Sequence, residues 1–165
     1  MIDISKFSSK YLVRRMNDSD AEAILEFCKE NTQYYEYCQA EPTLEQVTSD
    51  LHLTPPGVGS EDKYYVGFYQ DDDLVAVMDI IDGFPEKSIA FIGFFMMNKN
   101  LQGKGTGSSI ISEIAVYLKS IGVTAIRLAI DKGNPQSTHF WKKNGFNVIY
   151  EADQDGHVLL VAEKG

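Results

Sequence analysis

Short apolar runs, separated by clusters of turn-forming residues, divide the chain. "YLVRRM" (11–16) has the length of a strand. "NDSDAEAILEFCKEN" (17–31) has a helical period, with Ala23, Ile24, Phe27 and Cys28 on one face and Asp18 or Ser19 placed to cap it. "PTLEQVTSDL" (42–51) predicts a second helix, with Thr43 and Gln46 spaced as a capping box. After the Pro- and Gly-rich stretch 54–62, "KYYVGFYQ" (63–70) and "LVAVMDIID" (74–82) predict strands joined by an acidic turn. "SIAFIGFFMM" (88–97) is almost continuously apolar, as in a central strand covered on both faces.

Residues 108–120 carry Ile110, Ile114 and Leu118 every four residues, which predicts a third helix. "TAIRLAI" (124–130) predicts a strand. "PQSTHFWKKN" (135–144) predicts a short helix stopped by Gly145. "FNVIYEA" and "HVLLVAE" predict a final hairpin across Asp155-Gly156. This order implies an α/β fold with antiparallel hairpins at both ends. The helix between strands 88–97 and 124–130 makes a right-handed parallel connection. No repeat or linker interrupts the chain, so residues 1–165 are expected to form one domain.

Composition narrows the function classes. The formal charge of -9 disfavours nucleic acid, which needs basic patches. No apolar run approaches 18 residues, so no membrane partner is expected, and the first ten residues lack a signal-peptide core. A cytoplasmic location is the resulting expectation. Cys28 and Cys38 match no zinc spacing, and no metal is expected. Whether the chain forms a homodimer stays open.

"NKNLQGKGTGSSIISEI" (98–114) places Gly103, Gly105 and Gly107 at the mouth of the third helix. The N–H groups of a helix start have no intrahelical partners and favour anions, and glycines let a phosphate reach them. A Walker loop needs glycine where Asn98 stands, and a dinucleotide fingerprint needs one where Ser108 stands. Gln-x-x-Gly-x-Gly is met in full by Gln102, Gly105 and Gly107.

"LQGKGTGSSII" resembles the pyrophosphate loop of the GNAT superfamily of N-acetyltransferases. "NPQSTHFWKKNGF" resembles that family's second block, one helix and one strand later. The resemblance implies a mixed, mostly antiparallel sheet of six to seven strands, helices on both faces and a splayed central parallel pair. It further implies acetyl-CoA as cofactor and a small-molecule or peptide amine as acceptor. The pyrophosphate would rest on the main chain of Gly103, Lys104, Gly105, Thr106 and Gly107, with Gln102 at the edge. The pantetheine arm would pair with the main chain of Phe95 and Met97. Asn134 would hydrogen-bond the arm, and Phe140 and Lys143 would flank it. Tyr34, Tyr35 and Tyr37 would wall the acceptor site.

Two departures from the family pattern concern catalysis. Trp141 stands where many members carry an acidic tyrosine, which leaves Tyr150 on the next strand as the nearest candidate acid. The central strand holds no carboxylate. Asp79 interrupts the preceding strand, whereas Asp82 at its end reads as turn chemistry. A turn centred on Pro85 would set Asp79 opposite Phe91, about where other members carry a glutamate base. His52, His139 and His157 are expected at the surface. A CoA-binding module without catalysis is the alternative to an enzyme.

Overall fold

A computed structural model describes residues 1–32, 34 and 41–165. Seven strands form one sheet: β1 (Leu12–Arg15), β2 (Lys63–Gln70), β3 (Asp73–Asp82), β4 (Ile89–Met97), β5 (Ala125–Asp131), β6 (Asn147–Gln154) and β7 (His157–Lys164), ordered β1-β2-β3-β4-β5-β7-β6. Every neighbouring pair is antiparallel except β4 and β5. Among the described residues, the α-helices are α1 (Ala21–Lys29), α2 (Leu44–Asp50), α3 (Thr106–Ser120) and α4 (Pro135–Lys143).

Buried residues form two clusters, one on each face of the sheet. The larger joins Val66, Met78, Ile92 and Leu128 to Ile110, Ile114 and Leu118 of α3 and Trp141 of α4. The smaller joins Tyr65, Val77 and Met96 to Ile24, Phe27 and Cys28 of α1 and Val47 of α2. The central strands are therefore covered on both sides, as their apolar runs require. On α1 it is Ala21, not Ala23, that packs inward, since residues 21, 24 and 28 recur at helical spacing. Asn17, not Asp18 or Ser19, caps the 3-10 turn that leads into α1. Thr43 accepts from the Gln46 N–H at 3.1 Å, while the Gln46 side chain turns to donate to Asp50 at 2.8 Å and does not accept from the Thr43 N–H, so only half of the capping box forms.

The parallel pairing of β4 and β5 stops early. It runs from Ile89–Ala125 to Ile92–Leu128, although β4 continues to Met97 and β5 to Asp131. At the same point β4 bulges. Ile80 pairs with Ile92 and Asp79 with Phe94, so Gly93 is the extra residue. Two features separate β4 from β5 where the cofactor arm was expected: the end of their ladder, and a glycine that lets the strand bend.

Candidate active site

The split opens into a cavity of about 480 Å³. Its floor is β4 from Phe95 to Met97, and its sides come from the glycine turn, α4 and the end of α1. Asn98 donates its N–H to Val75 of β3 at 2.8 Å. Main-chain groups alternate sides along a strand, so Phe95 and Met97 turn theirs away from β3, toward the split. The Met97 carbonyl accepts from Gln102 Nε2 at 3.3 Å, as that direction requires.

The three glycines do different jobs. Gly103 and Gly105 have φ of +76° and +81°, a conformation that strains any other residue. No atom lies within 4 Å of where their Cβ would be. Gly107 has an ordinary φ, but a Cβ there would meet Met97 and Phe140 at 3.2 Å. The first two shape an open cradle, and the third lets α3 pack close. Gly105 is the N-cap of α3 and offers no side chain to the first-turn N–H groups, which remain available to an anion.

Gln102, Gly103, Gly105 and Gly107 line the cavity, whereas Lys104 is exposed and, like Thr106, lies outside its lining. Asn134 is 3% exposed, caps α4 by accepting the Ser137 N–H at 3.0 Å, and faces the cavity with Phe140 and Lys143. Phe140 stacks on Phe95 with centroids 6.1 Å apart. Trp141 lies among Phe95, Phe140 and Phe146, so its ring is core packing as well as cavity wall. Tyr34 lines the cavity and meets Phe94 edge-on at 6.1 Å. Tyr35 and Tyr37 lie outside the described residues.

Tyr150 is not brought to this cavity. It sits on β6, at the outer edge of the sheet, and is 51% exposed. It pairs with Val161, which pairs in turn with Ala129, so all three share one face. Their neighbours Ala162 and Leu128 join the α3–α4 cluster, which puts Tyr150 on the opposite side of the sheet.

The register of β3 also differs from expectation. Asp79 stands opposite Phe94, not Phe91, because the turn, closed by Phe84 N–H to Ile89 O, centres one residue later and the Gly93 bulge adds one residue more. Ile81 pairs with Phe91, and Asp79 lies two residues along on the same face, so the expected face is kept. The Asp79 side chain is 15% exposed, and Oδ2 accepts from Lys63 Nζ at 2.9 Å. Oδ1 is buried and accepts from no protein group, a state that costs about 1–3 kcal/mol. A Cβ on Gly93, the exposed bulge residue, would lie 2.9 Å from Asp79 Oδ2. Burial raises the Asp79 pKa, and the Lys63 hydrogen bond and charge oppose this only in part.

Lys63, Gly93 and Asn31 escape the sequence reading. A lone glycine in an apolar strand is a bulge signal, and a lysine opening one is out of place, so two of them left a trace. Asn31 left none. His52 and His157 pair with Asp18 and Asp131, while His139 is exposed at the cavity rim. Asp82 lies 3.7 Å from the chain's amino terminus. Among the described residues there is no group of three potential metal ligands, and no helix is long and apolar enough to cross a membrane.

Comparison with known proteins gives this geometry a family. An acetyltransferase from Thermus thermophilus superposes with a TM-score of 0.76 at 20% identity, covering 94% of this chain and 96% of that one. The PaiA N-acetyltransferase from Thermoplasma acidophilum, solved with coenzyme A, superposes with a TM-score of 0.66 at 20% identity, covering 93% and 98%. The mycothiol acetyltransferase of Propionibacterium freudenreichii subsp. shermanii is 26% identical over 68 residues, and the match spans 41% of this chain but only 21% of that protein. The model of the Acetyltransferase (GNAT) family matches residues 22–146. The chain belongs to the GNAT family of acetyltransferases.

Proposed function

We propose that the protein is an acetyl-CoA-dependent N-acetyltransferase acting on a primary amine of a small molecule or peptide. The observation that carries this is the split beyond Ile92 and Leu128, which opens beside an uncapped helix start built on Gly103 and Gly105. The residues fit coenzyme A. First-turn N–H groups of α3 suit a pyrophosphate, and the main chain of Phe95 and Met97 suits the amides of a pantetheine arm. Asn134 offers its amide Nδ2 to the same arm, Phe140 its ring, and Lys143 a charge near the phosphates.

Bound acetyl-CoA supplies an acetyl thioester, whose C–S bond breaks as the N–C bond to a neutral amine forms. The splayed main chain of β4 would offer an N–H to the carbonyl oxygen as it gains charge, a contribution typically worth about 2.7–4 kcal/mol. Asp79 is not among the residues lining the cavity, so it takes the amine's proton through a water. Its support is position and need: it lies against the bulge where the strands part, and Oδ1 has a lone pair to give. Tyr34 walls the acceptor side. The alternative, a CoA-binding module without catalysis, draws on the lack of a tyrosine at position 141.

The test of the cofactor is a melting shift. Acetyl-CoA at a hundredfold excess over Kd should add about 2.7 kcal/mol of stability, and ATP and NAD much less. Gly105→Asp, which brings a negative side chain to the cradle, should abolish the shift. Equal shifts with all three ligands would reject the assignment.

A further inference from the structure

Lys63 is 5% exposed, yet it opens a strand on the face that carries Asp79. Its ammonium lies 2.9 Å from Asp79 Oδ2 and 5.9 Å from the centre of the Tyr65 ring. Burying an ammonium without a counter-charge is costly, and the Asp79 carboxylate supplies that counter-charge. The carboxylate is thereby fixed at one oxygen, while the other is buried and bonded to no protein group.

We propose that Lys63 is a positioning residue that holds Asp79 at the strand bulge in its ionised form, with Oδ1 left free of protein donors to take the acceptor's proton through a water. This rests on the reading of Asp79 as the base. Burial alone would favour the protonated acid, which cannot take a proton from an amine. Among the described residues the fixed ammonium is the one group near Asp79 that opposes burial: Asp50 of α2 adds negative charge, and Tyr65 of β2, beside Cys28 of α1, is neutral because burial pushes its phenol far up. On β4 the facing residues are Gly93 and Phe94, which do not titrate. Lys63 also ties the carboxylate by a bond that does not use Oδ1, so holding the base and using it do not compete.

The test is a titration of the Asp79 carboxyl by carbon NMR in protein labelled at aspartate, its signal assigned by its loss in Asp79→Asn. Lys63→Gln keeps a donor of similar reach and removes the charge. It should move the Asp79 midpoint up by about one pH unit or more, the effect of losing an opposite charge at contact. Lys63→Arg should leave it near the wild-type value. An unmoved midpoint in folded Lys63→Gln would overturn the proposal. Should that variant not fold, Lys63→Met, which keeps the length of the stem and removes the charge, is titrated in its place, with the same rise expected and an unmoved midpoint again overturning the proposal. The measurement needs no acceptor. The base reading itself fails separately, if Asp79→Asn keeps full kcat on an amine that the wild type acetylates.

Discussion

Gln102 Nε2 donates to Asn31 Oδ1, and this one contact joins the glycine turn to the end of α1. Asn31 is 7% exposed and donates from Nδ2 to the Phe27 carbonyl at 3.0 Å. Gln102 also reaches the Met97 carbonyl. The glutamine expected at the edge of the pyrophosphate site therefore ties three elements together: β4, the cofactor turn and the helix that leads to Tyr34. Asn31→Leu should cost about 1–3 kcal/mol of stability, because Gln102 and Phe27 are left with unmet polar groups. It should also raise KM for acetyl-CoA, since the turn loses its anchor. Denaturant unfolding and steady-state kinetics check the two effects. Unchanged affinity would confine Asn31 to folding.

Gly93→Ala tests the bulge. The added methyl carbon would stand 2.9 Å from Asp79 Oδ2, inside normal contact, so the carboxylate must shift. The phosphate cradle is not touched. We expect a lower kcat with KM for acetyl-CoA little changed, the pattern of a lost transition-state interaction. Wild-type kcat in Gly93→Ala would show that the position of Asp79 is immaterial.

Much of this site was legible, and the missing part has a physical cause. The glycine turn could be placed because three glycines before an apolar helix leave few alternatives, and Asn134 because it opens the block that resembles the family's second motif. The partner of Asp79 could not be placed. Register depends on where a turn closes and on bulges: the 83–88 connection closes one residue later than its proline suggests, and Gly93 adds one residue before Asp79's partner. Tyr150 was nominated by nearness in sequence. Strand order then carried it to the sheet's edge, because β7 inserts between β5 and β6. Distance along the chain says little about distance across a sheet whose last hairpin folds inward.

Tyr150→Phe should accordingly leave kcat unchanged. The hydroxyl sits on an exposed edge strand, outside the cavity lining. A fall in kcat at constant KM would restore Tyr150 as the acid that protonates the departing thiolate. With no change, the thiolate leaves unprotonated or takes its proton from solvent, which a thiol pKa near about 8.5 allows.

Two carboxylates should bend the stability profile in opposite senses. Arg14 hydrogen-bonds Asp20 at 2.9 Å and lowers its pKa. Asp20 therefore adds stability above its unfolded value of 3.8 that is lost as pH falls through the lower, folded value. Asp79 has a raised pKa. Its contribution is largest below 3.8 and is lost as pH rises through its higher folded value. Urea midpoints across the acid range should show Asp20→Asn flattening the loss at low pH. Asp79→Asn has no carboxyl to lose stability as pH rises. The opposite signs would contradict both environments.

Acetyl transfer to amines with Asp79 as the base is tested most directly by CoA release from acetyl-CoA over a panel of primary amines, polyamine, arylalkylamine and peptide amino termini, followed across pH in wild type and Asp79→Asn. We predict amine-dependent release in wild type. In Asp79→Asn, kcat/KM should fall most at low pH, where few acceptor amines are already neutral, and least near the amine's own pKa. A uniform loss across pH would reduce Asp79 to positioning. Acetyl-CoA binding without release for any amine would contradict the enzyme and leave the CoA-binding module.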